Sequence, residues 1–235
     1  MDLTALNSVK EDDLKLKIPF GCMIGGYNNN NFHVFNCFII YLGPSNSGKS
    51  QLLYKILDNL ELFKPQPKTI LYCYGEYNSQ VPKLEAKGFH TCSGMPTDEL
   101  VARMPRPFLW VMDDMLNSVN AKTLTDLFTK KAHHQNFGLI FVTQNIFEPS
   151  LRVPRLNSQY IILTRAPNSL LSIRNLGMQL FPHKLKYFMD AYEKSCKKLY
   201  GYLLIDLHAG SNSMLKLRTN IFPDEERCVF VPVIN

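Results

Sequence analysis

Residues 43–50 restrict the possible folds of this 235-residue chain more than any other segment. They read Gly-Pro-Ser-Asn-Ser-Gly-Lys-Ser, which matches the pattern G-x-x-x-x-G-K-[ST] in full. An apolar run (35–42) precedes the segment and an amphipathic run (49–60) follows it. A glycine-rich turn between a strand and a helix surrounds an anion with backbone N–H groups and a helix N-terminus. The sequence therefore predicts a phosphate-binding loop, the Walker A motif.

The fixed residues of this loop each have a chemical role. Gly43 and Gly48 let the backbone approach a phosphate closely. Lys49 is expected to reach the β- and γ-phosphates of a nucleoside triphosphate, and the Ser50 hydroxyl is expected to bind Mg²⁺. ATP and Mg²⁺ are therefore the expected cofactors. The residues predicted to bind the nucleotide are Gly43, Pro44, Ser45, Asn46, Ser47, Gly48, Lys49, Ser50 and Gln51.

A second apolar run ends in two acidic residues. Residues 108–114 read Phe-Leu-Trp-Val-Met-Asp-Asp, the Walker B arrangement of a buried strand followed by carboxylates. Asp113 is expected to hold Mg²⁺ through water, and Asp114 to orient or polarise the attacking water. An acidic pair after a strand can also be a helix N-cap. The complete phosphate loop upstream favours the catalytic interpretation.

A third apolar run carries polar residues at its C-terminal end. Residues 139–145 read Leu-Ile-Phe-Val-Thr-Gln-Asn. In a parallel sheet, ligands bind at the carboxyl ends of the strands. Gln144 is therefore expected to hydrogen-bond the γ-phosphate or the attacking water, and a simple polar strand cap is the alternative.

The order of apolar and amphipathic segments predicts an α/β fold with a mainly parallel sheet covered by helices on both faces. A C-terminal hairpin is expected at the edge of that sheet. We assign 34–235 to one P-loop domain and 1–33 to an N-terminal extension. The predicted strands are 35–42, 69–74, 108–112, 139–142 and 160–163, the predicted helices are 49–60, 97–103, 121–134, 169–179 and 184–193, and the hairpin spans 200–207 and 216–218.

Composition narrows the class of protein further. Hydrophobic residues make up 46% and charged residues 20%, and the apolar runs are too short to span a membrane. The acidic N-terminus does not resemble a secretory signal, and the six cysteines form no C-x-x-C pair, so we expect an intracellular or virion-associated protein with reduced thiols. The net charge of +6 is compatible with a polyanionic partner.

An Asp-Asp pair followed by Thr-Gln-Asn on the next strand resembles the FtsK–HerA superfamily of DNA-pumping ATPases. Within it the chain resembles the viral genome-packaging ATPases of Polinton/Maverick elements and adintoviruses. Similarity extends over nearly everything after Lys17. The matching segments outside the nucleotide motifs are 72–77 (Tyr-Cys-Tyr-Gly-Glu-Tyr), 126–130, 133–136, 156–160, 200–206 and 217–223 (Leu-Arg-Thr-Asn-Ile-Phe-Pro).

The resemblance implies a RecA-like sheet and a homo-oligomeric ring, pentameric or hexameric, that translocates double-stranded DNA without sequence preference. A capsid or portal protein is the implied further partner, and the implied location is the host nucleus, the host cytoplasm or the virion. It also implies that an arginine from a neighbouring subunit completes hydrolysis. The candidates are Arg152 and Arg155 first, then Arg165 and Arg174, and each alone is also compatible with a solvated surface charge.

Three further segments have open interpretations. DNA-contacting loops are expected in 78–96 and 130–134. Glu76 either positions water or DNA or caps the following turn. His133 and His134 have no acidic or cysteine partner at ligand spacing, which favours a helix-end or surface role over a metal site.

Residues 27–43 interrupt the resemblance directly before the loop. Joining Gly26 to Pro44 would give a tidier match to the packaging ATPases, and the interrupting residues are largely Asn, Phe, Tyr, Ile and Leu, which are residue types with A/T-rich codons. They are either a translated intron or recent insertion, or a genuine hairpin with its turn at 28–31 and the first strand at 35–42. Gly48, Lys49 and Ser50 are present in both cases.

The leading hypothesis is an ATP-hydrolysing motor that translocates double-stranded DNA during genome packaging. The alternative is a decayed or domesticated nucleotide-binding interaction module that does not pump. A small-molecule P-loop kinase is disfavoured because no arginine-rich lid is recognisable.

Overall fold

The computed structural model describes residues 16–17, 38–41 and 47–232. The predicted loop residues Gly43, Pro44, Ser45 and Asn46 lie outside these residues, as do most of the 1–33 extension and most of the 27–43 interruption. Among the described residues, no helix combines the length and apolar character that crossing a membrane requires.

The described strands form one nine-stranded sheet and one two-stranded sheet. The strands are β1 (Leu16–Lys17), β2 (Phe38–Tyr41), β3 (Phe63–Lys64), β4 (Thr69–Tyr74), β5 (His90–Ser93), β6 (Phe108–Asp113), β7 (Phe137–Thr143), β8 (Tyr160–Thr164), β9 (Tyr202–Asp206), β10 (Leu217–Thr219) and β11 (Cys228–Phe230). The strand order of the nine-stranded sheet is β11-β10-β9-β8-β2-β7-β6-β4-β5. The six strands from β8 to β5 in that order are parallel, and β9, β10 and β11 extend the sheet in antiparallel fashion. β1 pairs in parallel with β3 in the two-stranded sheet.

The strand order confirms the predicted fold class. β2, which precedes the phosphate loop, and β6, which ends in the acidic pair, are separated by β7. β8 lies on the other side of β2. This is the order of a RecA-like P-loop fold, and it places the carboxyl ends of β6 and β7 beside that of β2.

Short helices connect most of the parallel strands. The helices at 97–103, 169–179 and 184–193 are confirmed with small shifts of their ends. The predicted helix 121–134 is present as two α-helices joined by one π-helical turn, Leu127–Lys131. The α-helices are α1 (Lys49–Asp58), α2 (Val81–Ala86), α3 (Asp98–Arg103), α4 (Ala121–Asp126), α5 (Ala132–Gln135), α6 (Arg152–Asn157), α7 (Leu170–Leu180) and α8 (Leu185–Ser195), and 3₁₀ turns occur at Leu60–Leu62, Pro149–Leu151, Pro167–Ser169 and Ser213–Leu215.

Side-chain caps explain where two of these helices begin. The Thr97 hydroxyl accepts a hydrogen bond from the Leu100 N–H at 3.2 Å before α3. The Asn120 side-chain oxygen accepts one from the Thr123 N–H at 2.8 Å before α4. These caps satisfy N–H groups that have no partner within the first turn of a helix.

Helices cover both faces of the sheet, as predicted. On β6, Leu109 and Val111 belong to one apolar cluster, and Phe108 and Trp110 belong to the other. α1 and α2 cover the first face, whereas α3, α4, α5, α7 and α8 cover the second. All seven residues of β7 are buried, which explains why this strand has no polar alternation before its end.

The C-terminal hairpin is confirmed and extended. β9 pairs with β8, β10 pairs with β9, and β11 adds a further antiparallel strand. Asp206 and Arg218 form a buried ion pair inside the hairpin, with the Arg218 Nη2 2.7 Å from the Asp206 Oδ2. The carboxylate also accepts hydrogen bonds from the His208 N–H and the Ser211 hydroxyl, each at 3.0 Å.

The segment 78–96 differs from its expected loop structure. It contains α2 and the edge strand β5, which pairs in parallel with β4. β5 reads His-Thr-Cys-Ser and is half-exposed. Because this strand has no apolar run, it could not be predicted from the sequence.

Candidate functional site

The start of α1 supplies the described part of the phosphate loop. Gly48 has φ +89°, a left-handed conformation that favours glycine, and Lys49 and Ser50 are the first residues of the helix. A Cβ atom on Gly48 would also lie 2.4 Å from the Tyr200 ring. The Thr164 hydroxyl at the end of β8 donates to the Ser47 hydroxyl at 3.4 Å. Glycine at position 48 is therefore required by backbone conformation and by space.

The acidic pair lies at the carboxyl end of β6. Asp113 is half-buried at the last position of the strand, and Asp114 is exposed with φ +52°. Gly75 packs against this turn: its N–H donates to the Asp113 carbonyl at 3.1 Å, and a Cβ atom on it would lie 2.3 Å from the Asp114 carbonyl oxygen. The end of β4 therefore holds the backbone that presents the two carboxylates.

Tyr72 hydrogen-bonds directly to the first carboxylate. Its hydroxyl donates to the Asp113 Oδ2 at 2.6 Å, and its side chain is 0% exposed. The Tyr72 hydroxyl also lies 3.4 Å from the Tyr54 hydroxyl and accepts from the Asn78 amide at 3.5 Å. Burial, followed by the negative charge of Asp113, raises the pKa of Tyr72, so its hydroxyl stays a donor. The network holds the Oδ2 oxygen of Asp113 in place.

Lys49 and Asp113 influence each other's charge. Burial lowers the pKa of Lys49, and the carboxylates of Asp114 and Asp113 oppose that shift. Burial raises the pKa of Asp113, opposed by the Tyr72 hydrogen bond and by Lys49. Each charge thus offsets part of the desolvation of the other.

One cavity brings together three of the predicted catalytic residues, Lys49, Asp114 and Gln144, with the predicted metal ligands Ser50 and Asp113. Its volume is about 230 Å³, and it is lined by residues from the ends of β4, β6 and β7 and from the start of α1. The lining residues are Lys49, Ser50, Glu76, Tyr77, Asn78, Asp113, Asp114, Val142, Thr143 and Gln144.

The polar turn after β7 positions Gln144. The Thr143 hydroxyl accepts a hydrogen bond from the Asn145 N–H at 3.2 Å, and the Asn145 side-chain oxygen accepts one from the Phe147 N–H at 3.0 Å. Gln144 stands exposed between these two capping residues. The turn is therefore capped by its neighbours, while Gln144 lines the cavity.

The four candidate arginines do not line this cavity. The Arg155 guanidinium donates to the Ile146 carbonyl at 3.0 Å and lies 4.6 Å from the centre of the Phe147 ring, so this side chain braces the segment after β7. Burial lowers the pKa of Arg155. Arg152, Arg165 and Arg174 are exposed.

Two parts of the arrangement were not predicted from the sequence. The first is the hydrogen-bond network of Tyr54, Tyr72 and Asn78 behind Asp113. The second is the contact of Tyr200 with Gly48. A polar hydroxyl within the apolar run of β4 was the one available signal for Tyr72, and nothing in the sequence linked Tyr200 to a loop 150 positions upstream. Glu76, which had two interpretations, lies on the cavity wall. His133 and His134 lie in α5.

No known family profile matches the chain, and no curated protein matches it. Solved structures similar to this chain include the genome packaging NTPase B204 of Sulfolobus turreted icosahedral virus 2 in complex with sulfate. The sequence identity is 14%, the match covers 85% of this chain and 98% of that chain, and the TM-score is 0.49. The same NTPase in complex with ATP-γS has 15% identity, the same coverage and a TM-score of 0.48. The cytoplasmic domain of EssC has 13% identity, coverage of 69% of this chain and 39% of that chain, and a TM-score of 0.36. Because identities and scores are this low, the similarity says nothing about activity.

Proposed function

We propose that this protein is an ATP-hydrolysing motor that translocates double-stranded DNA and packages a viral or transposon genome into a capsid. The observation that carries the ATPase part is the single cavity into which Lys49, Ser50, Asp113, Asp114 and Gln144 converge from α1, β6 and β7. A cation, a hydroxyl, two carboxylates and an amide are the groups that phosphoryl transfer to water uses.

The donor atoms around the cavity fit Mg²⁺. Ser50 offers a hydroxyl oxygen, and Asp113 offers a carboxylate whose orientation is held by the hydrogen bond from Tyr72 to its Oδ2. Among the described residues no group of three or more His, Cys, Asp or Glu side chains could hold a metal alone. That matches Mg²⁺, which binds through one or two carboxylates together with phosphates and water. When bound, the ion would neutralise charge on the phosphates.

The remaining residues have separate roles in hydrolysis. Lys49, with the loop N–H groups, binds the β- and γ-phosphates. Asp114 orients the attacking water and accepts its proton, and Gln144 hydrogen-bonds the same water or the γ-phosphate. Tyr72 orients Asp113 from behind and does not touch the nucleotide.

The DNA-translocating part rests on the sequence resemblance to FtsK–HerA packaging ATPases, including those of Polinton/Maverick elements and adintoviruses. We infer that residues 34–235 form the ATPase domain and that identical subunits assemble into a ring of five or six. DNA would be contacted through its phosphates, compatible with the net charge of +6. An arginine from the adjacent subunit, drawn from Arg152, Arg155, Arg165 and Arg174, would complete each site. A capsid or portal protein would dock on the ring.

Hydrolysis of ATP in the presence and absence of long double-stranded DNA tests the proposal. We expect Mg²⁺-dependent turnover that DNA stimulates. Lys49→Ala and Asp114→Asn should each abolish turnover, because one removes the phosphate-binding cation and the other the proton acceptor. The controls are Lys122→Ala on α4 and Asp190→Asn on α8, which make the same chemical changes at exposed positions outside the cavity.

The outcomes separate the two candidate functions. ATP binding without turnover, with and without DNA, would support the decayed nucleotide-binding module and contradict the motor. Turnover that DNA does not stimulate would support the ATPase and contradict translocation. Loss of turnover in the control variants would show that the effects of Lys49→Ala and Asp114→Asn are not specific.

A further inference from the structure

A second cavity adjoins the catalytic one at the start of α1. Its volume is about 340 Å³, and it is lined by Gly48, Lys49, Ser50, Gln51 and Tyr200. The two cavities share Lys49 and Ser50, and their other lining residues differ. A triphosphate bound at Lys49 with its γ-phosphate toward Asp113 would extend its other end toward Gln51 and Tyr200. The volume lies within the range of small-molecule sites.

The sheet topology explains why Tyr200 is present at this cavity. β9 runs antiparallel to β8, and Tyr202 at its start pairs with Thr164 at the end of β8. Tyr200, two residues before β9, therefore lies at the carboxyl edge of the parallel strands. This is the edge at which open α/β sheets bind their ligands.

The backbone holds Tyr200 in an unusual conformation. Its φ of +59° is left-handed, which is rare for a bulky aromatic residue. The next residue fixes this geometry: the Gly201 N–H donates to the Lys198 carbonyl at 3.0 Å, and a Cβ atom on Gly201 would lie 2.1 Å from the Ser195 carbonyl oxygen. Conformations of this kind persist where the surroundings impose them, and they cluster at ligand-binding sites.

The ring of Tyr200 is in contact with the phosphate loop and remains accessible. Its carbon atoms come so close to Gly48 that no Cβ atom fits there, and yet the residue is 47% exposed. An aromatic residue that only supported the loop would gain most by complete burial, because its stabilisation scales with the apolar area removed from water. The exposed part of a rigid ring beside a phosphate site is available to another planar group.

We propose that Tyr200 is the platform on which the base of the bound nucleotide stacks, with the Gln51 amide beside it. This inference rests on the proposed nucleotide binding and adds the recognition of the nucleoside part. Stacking on an aromatic ring tolerates different bases because every base has a π-face. The ligand class is therefore a nucleoside triphosphate, as opposed to an inorganic polyphosphate bound through charge alone.

Calorimetric titrations with two ligands test the platform. The ligands are a non-hydrolysable ATP analogue with a β,γ-methylene bridge and inorganic tripolyphosphate, each with Mg²⁺. Tyr200→Ala should weaken binding of the analogue by about 5- to 150-fold, the equivalent of about 1–3 kcal/mol of base stacking, and leave tripolyphosphate binding unchanged. Tyr200→Phe should bind both like the wild type because it retains the ring.

Leu199→Ala serves as the matched control, since Leu199 is 78% exposed, immediately adjacent and absent from the cavity lining. If Tyr200→Ala weakens the binding of both ligands equally, the ring only supports the loop. If the binding of both ligands is unchanged, the ring neither supports the loop nor stacks on the base. Either result overturns the platform and leaves the proposed ATPase standing. A wild-type protein that binds neither ligand would overturn both.

Discussion

At the scale of single residues, the Tyr72 hydroxyl decides how the Asp113 carboxylate is presented. It donates to Oδ2 at 2.6 Å from a fully buried ring, so it holds the orientation of the carboxylate at the end of β6. Hydrogen bonds of this kind orient metal-binding groups, and their loss typically costs 10- to 100-fold in metal affinity or activity. Tyr72→Phe should therefore raise the Mg²⁺ concentration for half-maximal ATP hydrolysis by about 10- to 100-fold.

Tyr187→Phe is the matched control for this substitution. The Tyr187 hydroxyl donates to the Phe230 carbonyl at 2.7 Å, and it belongs to neither the catalytic nor the Tyr200 cavity. Tyr187→Phe loses one hydrogen bond, which costs about 1 kcal/mol of unfolding free energy, whereas Tyr72→Phe loses the bond to Asp113 and the contacts with Tyr54 and Asn78. Only Tyr72→Phe should change the Mg²⁺ titration. An unchanged titration for Tyr72→Phe would show that Asp113 does not need this orientation.

The predicted and unpredicted residues of the site differ in what determines them. Lys49 and Asp113 could be predicted because binding phosphate and Mg²⁺ demands particular residue types at a fixed place in a local motif. The roles proposed for Tyr72 and Tyr200 depend on which strands are neighbours, since Tyr72 reaches Asp113 only because β4 lies beside β6. Hydrophobic periodicity does not determine strand order, so the contacts of Tyr72 and Tyr200 could be identified only from the structure.

At the scale of elements, apolar character separates what the sequence predicts from what it misses. β7 and β8 are entirely buried, and each appears in the sequence as an apolar run. β5 is a half-exposed edge strand, and α2 has six residues of which two are buried apolar side chains. Such short, polar elements are held by their neighbours and carry little periodic signal of their own.

The hairpin β9–β10 contains the element whose stability is easiest to test. Arg218 is the cation that pairs with the buried Asp206 carboxylate. Arg218→Met removes that partner and should lower the unfolding free energy by about 3–5 kcal/mol, because a buried charge is left without its counter-ion. Chemical denaturation followed by circular dichroism measures this loss.

Two further variants show whether charge is the cause. Lys131→Met breaks the exposed ion pair with Asp98 and should change stability little, since solvent screens that pair. Adding Asp206→Leu to Arg218→Met should recover much of the lost stability, because replacing both charges by apolar groups leaves no isolated carboxylate. A double variant as unstable as Arg218→Met would show that the loss comes from packing or from the hydrogen bonds of Asp206 with His208 and Ser211, and not from the isolated charge.

At the scale of the whole molecule, the charge balance of the catalytic cavity argues for a contribution from a second subunit. Of the described residues that line the cavity, only Lys49 is cationic, and it faces Asp113 and Asp114. Phosphoryl transfer places negative charge on the transferring group, and the proposed ATPase would need a further cation to stabilise it. The candidate arginines lie outside the cavity, so one of them would have to act on the site of an adjacent copy. Arg155 already has a structural role, whereas Arg152, Arg165 and Arg174 are exposed.

Mixing inactive subunits identifies that arginine. If a site combines Asp114 of one subunit with an arginine of the next, an equimolar mixture of Asp114→Asn and the matching arginine→Ala variant contains intact sites. Random assembly gives roughly a quarter of the interfaces both native groups, so about a quarter of the wild-type ATPase rate should return. Arg152→Ala, Arg165→Ala, Arg174→Ala and Arg155→Ala are each mixed with Asp114→Asn in turn.

A mixture of Lys49→Ala with Asp114→Asn must stay inactive, because Lys49 and Asp114 line the same cavity of one chain. If an arginine variant is inactive alone and its mixture stays inactive too, that arginine acts within its own chain. If none of the four mixtures regains activity, the hypothesis of an arginine acting between subunits is wrong. The proposed motor would then have to stabilise the phosphoryl group by other means.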